Sequence, residues 1–69
     1  MTNTMISLEA ARVNAKMTQS EVAKVLKITV NTLVNWEKGR SEPTIGQARK
    51  LSELYNMPLS NIFFETIIK

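Results

Sequence analysis

The chain offers few groups that could carry out catalysis. It contains no histidine and no cysteine, so the commonest general base and the commonest metal ligands are missing. Its six carboxylates are scattered singly along the sequence, and it has no glycine-rich phosphate loop. These residue types predict no catalytic residues, no metal site and no cofactor, and they argue against an enzyme.

Carboxamide and branched apolar side chains alternate near the middle of the chain. Asn31 and Asn35 are four residues apart, with Val30 and Val34 beside them. An asparagine can pair with two atoms of an adenine edge, and valine methyl groups can pack on thymine methyl groups. Asparagine is a poor helix former, which indicates another requirement. We predict DNA base contacts by these four residues. The alternative is that the asparagines are only solvated.

Positive charge is concentrated in the same region. Residues 12–40 contain six basic and two acidic residues, a balance of +4 against +3 for the whole chain. Nucleic-acid-binding proteins concentrate charge in this way, although ordinary solubilising lysines would produce the same count. Lys38 and Arg40 could also serve as partners of a helix dipole. Donors around a groove bind phosphates. The predicted phosphate contacts are Gln19, Thr29, Thr32, Lys38 and Arg40.

Short helices must position these residues. Apolar residues recur every three or four positions, and the chain has only two glycines and two prolines. Hydroxyl residues stand where they can accept hydrogen bonds from the first amides of four helices. The predicted caps are Ser7, Thr18, Thr29 and Thr44. The predicted helices run from about Leu8 to Ala15, for two turns after Thr18, from Val30 to Glu37, from after Thr44 to Tyr55, and from Leu59 to Phe63.

The predicted helix ends and core-facing sides follow from the same pattern. Gly39 and Asn56 suit left-handed helix ends, and Pro58 interrupts the chain before the predicted fifth helix. The predicted inner face of the fourth helix consists of Ile45, Ala48, Leu51, Leu54 and Tyr55.

The second and third predicted helices are joined by the turn 27–29. Ala23 allows two helices to approach closely, Ile28 and Leu33 fill the space between them, and Trp36 anchors the second of the pair. This is the helix-turn-helix arrangement, in which the second helix lies in the major groove of DNA. We therefore expect residues 1–69 to form a single domain, with the helix-turn-helix at about residues 19–38.

The segments 17–26, 28–29 and 32–43 resemble the XRE group of Cro and phage-repressor proteins. The resemblance extends from about Leu8 to Phe63. It implies an all-α, lambda-repressor-like DNA-binding domain of five short helices, which binds a palindromic operator as a homodimer. It also implies that Val30, Asn31 and Asn35 read bases and that Gln19 clamps a phosphate.

The resemblance further implies a buried ion pair between Arg12 and Glu37, the alternative being that both side chains are exposed. The sequence departs from the family pattern at two positions. Lys27 stands where glycine is usual, at a conformational cost of about 1 kcal/mol. Pro58 replaces the residue that usually caps the fifth helix.

We therefore expect a cytoplasmic, Cro-like transcriptional repressor of phage or mobile-element type. The absence of cysteine fits a reducing compartment, and the sequence shows no signal peptide and no membrane-length apolar run. It is compatible with a complete regulator or with the DNA-binding part of a longer one. The alternative is an antitoxin or a protein-interaction module of the same fold. Its partner, or a second copy, would bind the apolar tail residues Ile62, Phe63, Phe64, Ile67 and Ile68. The alternative for half of these residues is that they only fill the core.

Overall fold

A computed structural model describes residues 6–63 of the chain. This range contains four α-helices, one 3-10 turn and two very short strands. The helix-turn-helix is formed by the second and third helices, which pack against each other. In chain order the elements are β1 (Ile6–Ser7), α1 (Leu8–Asn14), α2 (Gln19–Leu26), α3 (Val30–Glu37), α4 (Ile45–Leu54), the 3-10 turn (Leu59–Asn61) and β2 (Ile62–Phe63).

Each α-helix begins at the hydroxyl residue predicted from the sequence. The capping oxygen accepts a hydrogen bond from the amide three residues later, at 3.0–3.1 Å. Thr18 and Thr44 complete capping boxes, because Glu21 and Gln47 accept in return from the cap amides. Local sequence therefore specifies where the helices start.

All four described α-helices also end in the same way. A left-handed residue follows each helix, and the next amide donates to the carbonyl five positions back, which is the Schellman motif. Gly39 and Asn56 were predicted as such ends, and Lys27 occupies the left-handed region that the family pattern requires, with φ 60°. The left-handed residues are Lys16, Lys27, Gly39 and Asn56.

The residue after the left-handed position differs between the helices. After α1, α2 and α4 it is Met17, Ile28 or Met57, and each of these packs against the core. After α3 it is Arg40, which is exposed. The apolar contact that usually closes this motif is thus absent only at the end of α3. The chain therefore presents a cation to solvent at that end.

Lys27→Gly is expected to stabilise the fold by about 0.5–1 kcal/mol. A side chain is strained in the left-handed region and glycine is not, although glycine loses more chain entropy on folding. Lys27→Ala is the control, because alanine keeps the strained Cβ and removes only the charge. Chemical denaturation measures both. If Lys27→Ala raised the free energy of unfolding as much as Lys27→Gly, the effect would be due to loss of the charge instead.

The prediction of a fifth helix from Leu59 to Phe63 is wrong. Only a 3-10 turn, Leu59–Asn61, follows Pro58, and β2 begins at once. β2 pairs in parallel with β1, placing Ile62 opposite Ile6, and buries the Ile62 side chain to 3% exposure. The extended backbone of Ile62 and Phe63 pairs with β1, so only three residues remain between Pro58 and β2, too few for an α-helical turn closed by its own hydrogen bonds. Ile62 therefore belongs to the core and is not available to a partner, as the alternative for part of the tail had it. The rest of the tail, including Phe64, Ile67 and Ile68, lies outside the described residues.

The core is formed by inward residues of all four α-helices and by Ile62. Leu33, Leu51 and Val22 are its largest fully buried side chains. The inner face predicted for α4 is correct for Ala48, Leu51 and Tyr55, which are buried, and for Leu54, which is partly buried against the core, but wrong for Ile45, which is 68% exposed. Ile45 is the first residue of α4, and the packed part of that helix starts at Ala48. Within residues 6–63, no helix combines the length and apolar character needed to cross a membrane.

Candidate nucleic-acid interface

Helix α3 is anchored on one side and open on the other. Leu33 is 0% exposed and Trp36 is 6% exposed, so both face the core. Val30 and Asn31 are exposed on the other side, and Val34 and Asn35 are half-buried beside them. The four residues predicted to contact bases therefore lie away from the two anchors, as the helical repeat of 3.6 residues requires.

The first turn of α3 is closed by two threonine hydroxyls. Thr29 Oγ1 accepts from the Thr32 amide at 3.0 Å, and the two hydroxyl oxygens are 2.9 Å apart. One of the two O–H groups donates within this pair, whichever threonine it belongs to. The other O–H group has no acceptor in the pair and can donate to an acceptor outside the protein. Together, the two threonines can therefore offer one donor at this rim of the surface.

Two cations flank the turn that ends α3. Lys38 and Arg40 are exposed on either side of the left-handed Gly39, whose φ is 76°. The carbonyl of Asn35 accepts from the Arg40 amide at 2.9 Å, so the backbone of this turn is fixed even though its side chains face solvent. The turn places both charges at the opposite end of α3 from the threonine pair.

An ion pair connects α1 to the last residue of α3. Arg12 Nε lies 2.8 Å from Glu37 Oε2, and the two side chains are 12% and 3% exposed. A second guanidinium nitrogen of Arg12 donates to the carbonyl of Met17 at 3.0 Å. The hydrogen bond with Glu37 raises the pKa of Arg12, and burial opposes this rise. The contact that the family resemblance implied is thus present and largely shielded from water.

Glu37 also holds Gln19, a contact that sequence reasoning missed. Gln19 Nε2 donates to Glu37 Oε1 at 2.9 Å, so both carboxylate oxygens of Glu37 are engaged. Gln19 is the first residue of α2, where backbone amides are free of intrahelical partners. Its amide nitrogen carries a second hydrogen, which stays available to an anion. No local pattern connects residues 18 positions apart, and only the fold brings them together.

Lys16 is a second residue that sequence reasoning did not place in the site. An open depression between the end of α1 and the start of α2 is lined by Arg12, Lys16, Thr18 and Gln19, together with Glu9, Val13 and Met17. Lys16 is exposed and left-handed, and it lines this depression together with Thr18 and Gln19, at the start of α2. A cation two residues before a capping threonine is the signal that could have indicated it.

Tyr55 lies buried beside the ion pair. It is 5% exposed, and its hydroxyl has no hydrogen-bond partner among the described residues. Burial raises the pKa of Tyr55 well above its ordinary value, and the nearby charge of Glu37 adds to the rise. The neutral hydroxyl is therefore the form that the folded state accommodates.

Tyr55→Phe is expected to keep the fold and to raise its stability by up to about 1 kcal/mol, because a buried hydroxyl without a partner is removed. The pKa of Tyr55 is higher in the folded than in the unfolded state, so ionisation at high pH favours unfolding. The parent protein therefore keeps its full stability below about pH 10 and loses stability as the pH rises further. Denaturation at pH 8 and about pH 11 should show a larger loss for the parent than for the variant. Equal losses would assign alkaline unfolding to other groups.

Comparison with known proteins agrees with this geometry. The family described as helix-turn-helix matches residues 8–62, which include all four α-helices. An "Uncharacterized HTH-type transcriptional regulator" of Archaeoglobus fulgidus is 35% identical over 52 residues, covering 75% of this chain and 73% of that protein. No solved structure gives a significant match. On these similarities and on the two packed helices α2 and α3, the chain belongs to the XRE-type helix-turn-helix family.

Proposed function

We propose that this chain is a transcriptional regulator that binds a palindromic double-stranded operator as a homodimer. The observation that carries the proposal is α3, whose inner side is held by Leu33 and Trp36 while its outer side bears asparagines. Helix-turn-helix proteins place such a helix in the major groove. The name of the archaeal relative, a transcriptional regulator, supports the same role.

Base reading is assigned to the outer side of α3. Asn31 and Asn35 would pair with base edges through their carboxamides, and Val30 and Val34 would contact methyl groups. Their exposure or partial exposure supports this assignment, because none of the four is needed to fill the core.

Phosphate contacts are assigned to the two ends of α3. The threonine pair supplies a hydroxyl donor at the start of the helix. At its end lies Gln19, which is bonded to Glu37 and has a second amide hydrogen available, with Lys16 in the depression beside it. At the same end Arg40 replaces the apolar residue that seals the other helix ends, which supports a role outside the fold. The proposed phosphate contacts are Lys16, Gln19, Thr29, Thr32, Lys38 and Arg40.

Repression in a Cro-like manner is the mode of action that we propose. A small dimer bound over an operator excludes other proteins from the same DNA without needing a second activity. On this proposal the protein acts in the cytoplasm, on the DNA of a phage or mobile element, and is not an enzyme. The two half-sites would be centred about one helical turn, roughly 34 Å, apart or at a multiple of that distance.

A salt titration of the 69-residue chain on mixed-sequence DNA tests the proposal. The logarithm of the binding constant should fall linearly with the logarithm of salt concentration, with a slope near −0.9 for each phosphate contacted. A flat response would contradict DNA binding. It would favour the second candidate, an antitoxin or protein-interaction module of the same fold. That candidate draws support from apolar surface outside α3, such as the 68% exposed Ile45.

Substitutions in the two classes of contact residue should behave differently. Asn31→Ala and Asn35→Ala should each weaken operator binding by about 1–3 kcal/mol while binding to other DNA changes little. Lys38→Ala and Arg40→Ala should weaken binding to all sequences alike and reduce the salt slope by about one. Electrophoretic mobility shifts on operator and random duplexes measure both effects. Lys50→Ala, an exposed lysine on α4, is the matched charge control.

Equal binding of the true operator by both asparagine variants and the parent would refute the base-reading assignment. A loss on Lys38→Ala or Arg40→Ala that depends on operator sequence would count against the phosphate role. Circular dichroism of each variant checks that the fold is intact.

A further inference from the structure

The outer side of α3 carries two chemically distinct columns. Asn31 and Asn35 form one, which we call the amide column, and Val30 and Val34 form the other, the methyl column. Residues four apart in a helix lie almost above one another, so each column runs parallel to the helix axis. The two columns lie side by side and point away from Leu33 and Trp36.

The same helix lacks the groups that read the other base pair. Guanine is read mainly by arginine or lysine, and cytosine by a carboxylate. Within Val30–Glu37 there is no basic residue, and the single carboxylate belongs to Glu37. Glu37 is 3% exposed, and Arg12 and Gln19 engage both of its oxygens, so it cannot reach a cytosine. Within Val30–Glu37, therefore, no free side chain suits a G·C pair, and the nearest cation is Lys38, which follows the last residue of the helix.

The A·T pair displays the complementary groups next to each other. In the major groove, adenine presents an acceptor and a donor that fit a carboxamide, and its partner thymine presents a methyl group. Residues four apart are about 6 Å apart along the helix axis. Base pairs are stacked about 3.4 Å apart. Each column therefore spans about two base-pair steps.

Resting on the proposed DNA-binding function, we propose that the recognised core of each half-site is a run of A·T pairs. The amide column contacts the adenine edges and the methyl column contacts the thymine methyl groups of that run. The protein's preferred partner is thus A·T-rich duplex DNA read from the major groove, with the thymine methyl group as a recognition element.

Selection from a random duplex pool with the unmodified chain is the first test. The expected result is an enriched half-site with at least two consecutive A·T pairs at its centre, and replacement of one of these by G·C should cost about 5- to 150-fold in affinity. A selected half-site centred on G·C pairs overturns the proposal. Guanine preference that Lys38→Ala abolishes overturns it as well, because it would assign reading to the end of the helix.

Modified bases test the two columns separately. Replacing thymine by deoxyuridine removes only the methyl group, and it should weaken parent binding by about fourfold for each contacted methyl group. In Val30→Ala or Val34→Ala, the replacement of thymine by deoxyuridine should no longer weaken binding at the one base pair that the missing valine contacted. Val25→Ala, a 54% exposed valine on α2, should leave it unchanged. Replacing adenine by 7-deazaadenine removes the acceptor, and its effect should disappear in Asn31→Ala or Asn35→Ala.

Recognition of A·T pairs and DNA binding itself are overturned by different results. Salt-dependent DNA binding that is insensitive to deoxyuridine and to 7-deazaadenine overturns A·T recognition and leaves the regulatory function standing. Salt-independent binding, or no binding to any duplex in the pool, overturns both. Loss of deoxyuridine sensitivity in Val25→Ala would show that the effect is not local to α3, and it would overturn the assignment of the methyl column.

Discussion

Glu37→Ala is expected to lower the free energy of unfolding by about 3 kcal/mol. The substitution leaves the guanidinium of Arg12, which is 12% exposed, without the carboxylate 2.8 Å away. Removing one partner of a buried ion pair costs about 3–5 kcal/mol, and the partial exposure of Arg12 favours the lower end. A domain of this size has a total stability of only about 3–10 kcal/mol. The variant should therefore be largely unfolded at temperatures where the parent is still folded.

Glu9→Ala is the matched control for this substitution. Glu9 is 3.9 Å from the same guanidinium, but its side chain is 64% exposed. Exposed ion pairs contribute about 0–1 kcal/mol to stability, so the free energy of unfolding of this variant should be close to that of the parent. The comparison separates burial of the pair from the mere presence of an acidic neighbour.

Replacing both partners distinguishes the cost of an orphaned charge from the value of the pair. The double variant Arg12→Met, Glu37→Leu leaves no buried charge and should recover most of the stability lost by either single change. Urea denaturation of the parent, Arg12→Met, Glu37→Leu and the double variant measures this. Losses in the single variants that simply add in the double variant would show that the two charges do not interact in the folded state.

Leu33→Ala is expected to destabilise the fold by about 2–5 kcal/mol, the second large effect. Leu33 is fully buried in the core, on the inner side of α3. Truncation removes three buried carbons and leaves a cavity that close-packed neighbours cannot completely fill. Because this side chain holds α3 to the core, DNA binding should fall with the folded fraction.

Ile45→Ala removes the same number of carbons from an exposed position. Ile45 is 68% exposed, so the variant should lie within about 0.5 kcal/mol of the parent. Thermal and urea denaturation of the two variants give the comparison. A similar loss in both would contradict the described orientation of α4 or of α3.

Much of the helical framework could be predicted from the sequence, because its signals are local. Ser7, Thr18, Thr29 and Thr44 each accept a hydrogen bond from an amide only three residues away, so the starts of the four α-helices are encoded in short segments. Gly39 and Asn56 tolerate positive φ and mark two of the helix ends in the same way. The arrangement of amide and valine residues on α3 likewise follows from helical periodicity alone.

Long-range contacts decided the rest. Lys16 adopts a left-handed conformation that its residue type does not favour, because Met17 must reach the core. Lys27 does the same for Ile28, and there only the family resemblance, not the residue type, indicated it. Ile62 and Phe63 are extended because β1, some 56 residues earlier, offers partners to their backbone.

The site shows the same division. The sequence by itself determined which chemical groups α3 carries and where the helices of the helix-turn-helix begin, since both depend on residues within one or two turns. Only the tertiary structure decided that Glu37 would hold Gln19, 18 positions away, and that Ile45 would face solvent. Such contacts depend on how separate helices pack, and their free energy is gained only when the whole core forms.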